Sequence, residues 1–357
     1  MHRRAFLRQL AASSAALYGA TLWSACSHPP SRKEVLAALV QDVVVPDVRA
    51  LAKESQALEV SATAFARAPS QAGLDALQAQ WKRCLLAWKK GFAFRAGPIV
   101  ESNALLRTMF WPVRSREIDS LIGGAQAITD SFVEQLGVDL KGLFALEHLL
   151  FDPPQAGQGP LERFMGSGGA RASEYAVALA KNVNAYADDM QAALGDGAAF
   201  ARSFSESTEQ NLNSLVNQMV STVETVAVQR LGFTLELLKN QRLSSDSLEG
   251  GKSGLSTQIS ETLLATTERL YLGVNGHGLA ALTKQASEPI EARVGAAFEG
   301  ARKTLAALGA PLEQAATKTL GKLEGAAAAA RELEIALKVD LVSALGVTLT
   351  FTLGDGD

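Results

Sequence analysis

The chain has 357 residues, of which 47% are hydrophobic and 20% are charged. This balance excludes an intrinsically disordered protein and supplies enough apolar side chains for one large or two ordinary domains. The formal net charge is −3; without the three arginines of residues 1–25, the 34 basic residues become 31 against 37 acidic ones, a net charge of −6. Such an acidic chain excludes nucleic acid as a partner and mildly favours cations.

Residues 1–25 have the pattern of an export signal. Their basic start resembles a twin-arginine signal, and the apolar stretch 10–23 is too short for an ordinary membrane span. Trp23-Ser24-Ala25-Cys26 resembles a lipobox, with 26–33 as a tether. We therefore predict that Cys26 is acylated and anchors a periplasm-facing lipoprotein of the cell envelope, at the outer membrane. The alternative is an ordinary signal peptide with a cysteine there by chance.

Apolar residues recur at helical spacing through most of the remaining chain. The pattern predicts a helix over 32–67 with a kink at Pro46, and one over 71–95 with Cys84 packed on its apolar face. Weaker helical patterning covers 116–135. Further helices are predicted over these ranges: 173–194, 207–240 (opened by a capping box at Ser207 to Gln210), 255–273, 287–308 and 311–344.

Two segments lack a helical pattern. Residues 243–254 are a polar, glycine-rich loop without the spacing of a Walker motif. After residue 344 the apolar period changes to two, which predicts a short extended C-terminal tail that ends in Asp355-Gly356-Asp357. We predict an all-α protein with two packed helical bundles, 34–155 and 156–357, the second of which carries this tail.

The most unusual stretch is 142–151, an apolar helical segment that contains one carboxylate, Glu147, and one imidazole, His148. A charged glutamate among Leu and Phe residues is costly unless a cation or a donor meets it. Glu147 is therefore predicted to line a cation or ligand site. The alternative is a buried acid paired with Arg95 or Arg107.

The residues for catalysis are few. Downstream of the predicted signal only His28, His148 and His277 remain, and no His-Glu-x-x-His motif occurs, so a zincin-type protease is unsupported. Adjacent residues Glu147 and His148 lie about 100° apart around a helix, so both do not readily face one ion. No Gly-x-Ser-x-Gly elbow is present either.

A series of short motifs connects the chain to a known family. Phe94-Arg95, Trp111-Pro112 and Ile118-Asp119 occur in that order, and Gly142 and Glu147 then precede an apolar run. This succession resembles the imelysin family, bacterial exported proteins described as insulin-cleaving metallopeptidases, several of which are associated with iron uptake. The resemblance implies a two-bundle helical fold and a metal-linked role.

The family signature is Gly-x-His-x-x-Glu, and here it is incomplete. Gly142 and Glu147 match, but Phe144 stands at the histidine position and His148 follows the glutamate, out of register. The missing imidazole argues against a peptidase. The resemblance makes Glu147, His148 and Asp119 the candidate ligands of a metal cation, iron or zinc, or of another ligand.

We therefore predict a non-catalytic, membrane-anchored protein that binds a ligand or metal and is linked to iron or metal uptake. Its expected partners are envelope transport proteins or haem- and iron-uptake proteins, and not nucleic acid. The alternatives are a metallopeptidase of the imelysin type and a scaffold that binds another envelope protein.

Overall fold

A computed structural model describes residues 28–350 of the chain, and within them every regular element is helical. The predicted signal, the lipobox with Cys26, and residues 351–357 lie outside the described part. No helix between residues 28 and 350 is both long enough and apolar enough to cross a membrane.

The first eight α-helices lead to the unusual stretch of the sequence. Their bounds are α1 Arg32–Leu39, α2 Val45–Arg67, α3 Gln71–Phe92, α4 Pro98–Glu101, α5 Ala104–Met109, α6 Ser115–Gly123, α7 Asp130–Gln135 and α8 Gly142–Phe151. Pro46 was predicted to kink one long helix. The structure has two helices in this range, α1 and α2, joined by a π-helical turn at Val40–Val44; Pro46, which lacks an N–H group to donate, is the second residue of α2.

Ten further α-helices complete the chain. They are α9 Gly169–Leu194, α10 Ala198–Glu206, α11 Thr208–Glu224, α12 Phe233–Lys239, α13 Ser256–Leu272, α14 Leu279–Ala286, α15 Glu288–Ala306, α16 Leu312–Lys318, α17 Leu320–Ile335 and α18 Val342–Leu345. Short 3₁₀ turns cover Val138–Leu140, Pro160–Phe164 and Ser245–Ser247, and π-helical turns cover Thr225–Gly232 and Ala336–Leu341.

The second half differs from the prediction in three details. Helices α10 and α14 have no counterpart among the predicted elements, and the predicted helix 311–344 is interrupted at Thr319, between α16 and α17. The predicted capping box at Ser207 is wrong, because the Ser207 side chain caps nothing; the adjacent Thr208 hydroxyl donates instead to the carbonyl of Ser205, 2.6 Å away, which closes the end of α10.

Helix α3 packs against several other helices, one of which is α8. It lies against α2 on one side and against α8 and α13 on others. Its Trp81 Nε1 donates to the carbonyl of Leu143, 2.8 Å away, and its Trp88 Nε1 donates to Ser55 Oγ, 2.9 Å away. Cys84 is fully buried between these two tryptophans in sequence, as predicted for a packing residue. The α3 stripe thus fixes the position of α8.

Helix α9 connects the two halves of the chain, because it packs along α2 and also against α8. The contacts of α9 thus cross the predicted boundary between the two bundles at residue 155. That boundary stays a prediction. Helix α13 likewise contacts α3, α11 and α15. The apolar side chains of both halves accordingly form one continuous buried cluster.

The start of the C-terminal tail lies along α11 without helical hydrogen bonds. Asn213 Oδ1 accepts the N–H of Thr348 at 2.7 Å, and Asn217 bonds both the carbonyl of Thr348 at 2.9 Å and the N–H of Thr350 at 2.8 Å. Side-chain amides on a helix therefore satisfy the tail backbone, in the place of a neighbouring strand.

Candidate functional site

Helix α8 begins unusually close to another helix. Gly142 has φ +80°, and a Cβ at this position would lie 2.5 Å from the carbonyl oxygen of Thr108 in α5. A side chain would therefore be strained by the backbone conformation and would collide with backbone. The preceding Lys141 is buried, and its Nζ donates to the carbonyl of Glu134 at 2.6 Å. The glycine of the signature thus allows α8 to begin against the end of α5.

Phe144, at the signature histidine position, packs in the core. Its ring meets Trp81 edge-on, with the ring centroids 6.4 Å apart. On another side, the ammonium of Lys89 lies 5.4 Å from the Phe144 centroid, in a cation–π arrangement. The position therefore presents an aromatic face to a buried cation and offers no nitrogen ligand.

Glu147 is 2% exposed, and its partner is a backbone amide. Oε1 accepts the N–H of Ser253 at 3.1 Å. Burial raises the pKa of Glu147 to about 7, although hydrogen bonding by Ser253 and the charge of Lys252 oppose the rise. Neither predicted arginine partner is used, since Arg107 pairs with Glu134 at 2.7 Å and Arg95 forms no ion pair among the described residues.

His148 points away from this carboxylate into a separate polar cluster. Its Nδ1 lies 2.8 Å from Asp152 Oδ2, and its Nε2 lies 3.0 Å from Asp119 Oδ1. Arg163 also bonds Asp119, and Lys252 also bonds Asp152. Burial alone would raise the pKa of both aspartates, but His148 and the two cations outweigh it and lower each pKa below its usual value.

The predicted ligands Glu147, His148 and Asp119 are thus brought near α8 without converging on one point. Both ring nitrogens of His148 face carboxylate oxygens, so neither has a lone pair directed at an open position. Among the described residues, no group of three or more His, Cys, Asp or Glu side chains is arranged to hold a metal ion. The side chains present do not fit the metal that the family implies, and their role as ligands stays a prediction.

A third group of charges lies on the other side of Phe144. The carboxylate of Glu249 accepts hydrogen bonds from Lys89 Nζ, at 2.5 Å, and from Arg230 Nη1. Arg230 Nε also donates to Ser260 Oγ at 2.8 Å. Burial lowers the pKa of Lys89 and of Arg230, whereas the two cations together lower the pKa of Glu249 against the effect of burial. We call Lys89, Arg230 and Glu249 the buried ion cluster.

The buried ion cluster lines a cavity of about 510 Å³. Other lining side chains come from the end of α3, from α4 and α5, and from the segment that follows, including Phe92, Arg95 and Trp111. The Trp111-Pro112 peptide bond, which closes this segment, is cis. We call this cavity the apolar pocket. Its volume is within the range of small-molecule sites.

The loop 243–254 supplies residues to three sites: the Glu147 contact, the cluster around His148 and the buried ion cluster. Its sequence had predicted no functional role for it. Glu249 belongs to the buried ion cluster, and Lys252 belongs to the polar cluster around His148. The backbone N–H of Ser253 donates to Glu147. A Cβ at Gly251 would lie 2.2 Å from the carbonyl oxygen of Ser245, so the loop folds tightly on itself. Its closely spaced glycines between two leucines were a signal of tight packing that its polar composition concealed.

Residues 44–337, most of the chain, match the sequence pattern of peptidase family M75, imelysin. The chain belongs to the imelysin family. The resemblance carried by Trp111, Gly142 and Glu147 is thereby confirmed at the level of the family.

Two solved structures share the fold of this imelysin-family protein. One, from Parabacteroides distasonis and provisionally named an iron-regulated protein A precursor, superposes with a TM-score of 0.75 at 15% identity, covering 89% of this chain and 97% of the other. An imelysin-like protein from Psychrobacter arcticum superposes with a TM-score of 0.68 at 21% identity, covering 90% and 97%. The predicted all-α, imelysin-like fold is confirmed.

A sequence relative is iron-regulated protein A of Synechococcus elongatus, which is 29% identical over 135 residues. The match covers 37% of this chain and only 36% of that protein. The imelysin-family protein therefore spans just over a third of its relative's length. The name of the Parabacteroides protein as a precursor is consistent with export in the family.

Proposed function

We propose that this imelysin-family protein is a non-catalytic binding component of the cell envelope that takes an organic ligand into the apolar pocket and acts in iron acquisition. The observation that carries the proposal is a contrast between α8 and the apolar pocket. The polar side chains of α8 are engaged with other groups of the protein, whereas the buried ion cluster, whose Lys89 contacts Phe144 of α8, lines a cavity of about 510 Å³. The names of the relatives as iron-regulated protein A support the link to iron.

The contacts of α8 favour binding over metallopeptidase chemistry. A catalytic zinc needs about three protein ligands and an open position. Phe144 contributes no ligand, Glu147 accepts a backbone amide, and His148 lies between two carboxylates. A directly bound iron or zinc cation at Glu147, His148 and Asp119 is the alternative, and it would have to displace these contacts and the cations Arg163 and Lys252.

Binding and metal content of the purified protein test the proposal together. We expect the neutral fluorescent probe N-phenyl-1-naphthylamine to bind at one per chain. The double variant Leu106→Gln/Phe233→Gln should weaken it by about tenfold or more, since both apolar side chains line the pocket and polar replacements lose the gain from burying them. Titration with iron or zinc should give no stoichiometric binding.

A matched control for that double variant is Ile335→Gln/Val339→Gln. These residues are also exposed apolar side chains, but they line none of the cavities described here. Probe binding unaffected by the pocket substitutions would contradict the proposal. So would stoichiometric metal in the wild type that disappears in Glu147→Ala, a result that would favour the metal site.

The anchor at Cys26 is part of the same proposal. Because an acyl chain is the attachment expected from Trp23-Ser24-Ala25-Cys26, Cys26→Ser should move the protein from the membrane fraction to the soluble fraction of the producing cells. Cell fractionation with immunodetection measures this shift, and Cys84→Ser, which keeps Cys26, is the control. Equal partition of the Cys26→Ser variant and the wild type would rule out the lipid anchor.

A further inference from the structure

The apolar pocket has an excess of positive charge although the whole chain is acidic. Its lining contains three cations, Lys89, Arg95 and Arg230, and a single carboxylate, Glu249. Glu249 is shared by two of the cations within the buried ion cluster. The pocket thus has about two positive charges that its own lining does not balance, in a protein whose net charge is −3. A negatively charged ligand would balance them.

Arg95 is the cation that remains available. It forms no ion pair with any described residue, and its guanidinium carbon lies 4.6 Å from the Phe92 centroid, in a cation–π arrangement. Within residues 28–350 its guanidinium makes one hydrogen bond, a long one of 3.5 Å to Ser221 Oγ. Burial lowers the pKa of Arg95, as expected for a partly desolvated cation without a counter-charge.

The backbone of Arg95 is held in place by Gln218. Gln218 bonds the Arg95 backbone at both ends of its amide, accepting the N–H at 2.6 Å and donating to the carbonyl. Arg95 also lines a second cavity of about 530 Å³, which has a polar wall formed by α11. Its side chain therefore stands where an apolar cavity and a polar cavity meet.

The rim of the apolar pocket exposes hydrophobic side chains. Val100, Leu106 and Phe233 are each between 39% and 53% exposed and all three line the pocket. Trp111 and Phe92 add aromatic faces to its lining. Exposed apolar side chains gathered at one cavity mark a surface that a partly apolar ligand can cover.

We infer that the ligand of the apolar pocket is an amphipathic organic anion, with its apolar body between the aromatic and aliphatic walls and its carboxylate on Arg95. The inference rests on the proposed function, which it makes specific. A guanidinium donates two parallel N–H groups to a carboxylate, and no carboxylate among the described residues pairs with that of Arg95. A bare metal cation would be repelled by the same lining.

Two probes that differ in one charged group test this inference. N-Phenyl-1-naphthylamine is neutral, and 1-anilinonaphthalene-8-sulfonate carries the same rings with an added sulfonate, which stands in for the carboxylate. In the purified protein, Arg95→Gln should weaken the sulfonate probe by about 10- to 100-fold, the range for a hydrogen bond to a charged group, and should leave the neutral probe within about twofold. Arg116→Gln, at an exposed arginine outside the pocket, is the matched control.

A charge-conserving variant and two competing carboxylates test the role of Arg95 further. Arg95→Lys retains the charge and should recover part of the affinity for the sulfonate, with circular dichroism and thermal unfolding confirming that each variant folds. Dodecanoate and 1-naphthoate should displace the sulfonate probe, and the stronger competitor shows whether the natural body is aliphatic or aromatic. Displacement by neither would overturn the inference.

Different results contradict the proposed binding function and the anionic nature of its ligand. If both probes bind and depend on Leu106 and Phe233 but Arg95→Gln weakens neither, or weakens both equally, the anionic ligand is wrong and the binding function stands. If neither probe binds, or if the rim substitutions have no effect on either, the proposed function falls as well.

Discussion

Replacing Glu249 with alanine should lower the free energy of unfolding by about 4 kcal/mol, because two buried cations lose their common counter-charge. Lys89 and Arg230 are 4% and 7% exposed, and neither side chain has another carboxylate within ion-pair distance among the described residues. Urea unfolding of the purified wild type and variant measures the difference. We therefore expect the folded state to need the Glu249 carboxylate as the counter-charge of Lys89 and Arg230.

A second variant separates the loss of a partner from the value of the ion cluster itself. Replacing all three charges, Lys89→Met, Arg230→Met and Glu249→Leu, should cost less than Glu249→Ala alone, since no uncompensated charge then remains buried. Glu288→Ala removes one partner of an exposed pair, Lys284–Glu288 at 3.3 Å, and should leave stability near the wild-type value. A Glu249→Ala variant as stable as Glu288→Ala would show that water reaches the two cations.

Local sequence patterns were sufficient to predict most of the long helices and the anomaly at Glu147, but not short helices such as α10 and α14. Periodicity depends on neighbours three and four residues apart, so α3 and α9 appear in the sequence almost as they fold. Glu147 was found because a lone carboxylate in an apolar run is costly wherever the chain goes. The residue that meets it, Ser253, is 106 positions away, and its contact is made by a backbone N–H, which no residue type reveals.

The charged partners were missed for the same reason. Asp119 was predicted to share one site with Glu147 and His148. It contacts His148 but not Glu147, and its other partner, Arg163, was not predicted; α6 buries Ile118 and directs the acid to that side of α8. Residues 243–254 were predicted only as a polar, glycine-rich loop, yet the Glu249 side chain is just 17% exposed. Polar composition predicts a surface loop only when no buried cation needs its charges.

The anomaly at Glu147 has a measurable consequence for stability. Its pKa in the fold is about 7, above its ordinary value of 4.5, so the folded state binds the proton more tightly than the unfolded state does. This contribution to stability is fully present below pH 4.5, declines as the pH rises, and is lost above about pH 7. The stability lost over this interval is about 3 kcal/mol.

Glu147→Gln isolates this contribution, because the amide keeps an oxygen for the Ser253 N–H and carries no charge at any pH. The stability of the variant minus that of the wild type should therefore rise by about 3 kcal/mol between pH 4.5 and pH 8 in urea unfolding. Nearby Asp152 and Glu249 have lowered pKa values and stay largely ionised over this range. Glu288→Gln, the same substitution at an exposed glutamate, is the matched control.

The same measurement bears on the choice between an organic ligand and a metal ion. A cation held by Glu147 would favour the ionised carboxylate and lower its pKa, so the difference between wild type and Glu147→Gln would lose its slope when iron or zinc is added. We expect the slope to be the same with and without either metal, because the Ser253 amide already occupies Oε1 and the neighbouring cation Lys252 would repel a second one. If added iron or zinc abolishes the slope, Glu147 binds the metal and the organic-ligand proposal loses its support at this residue.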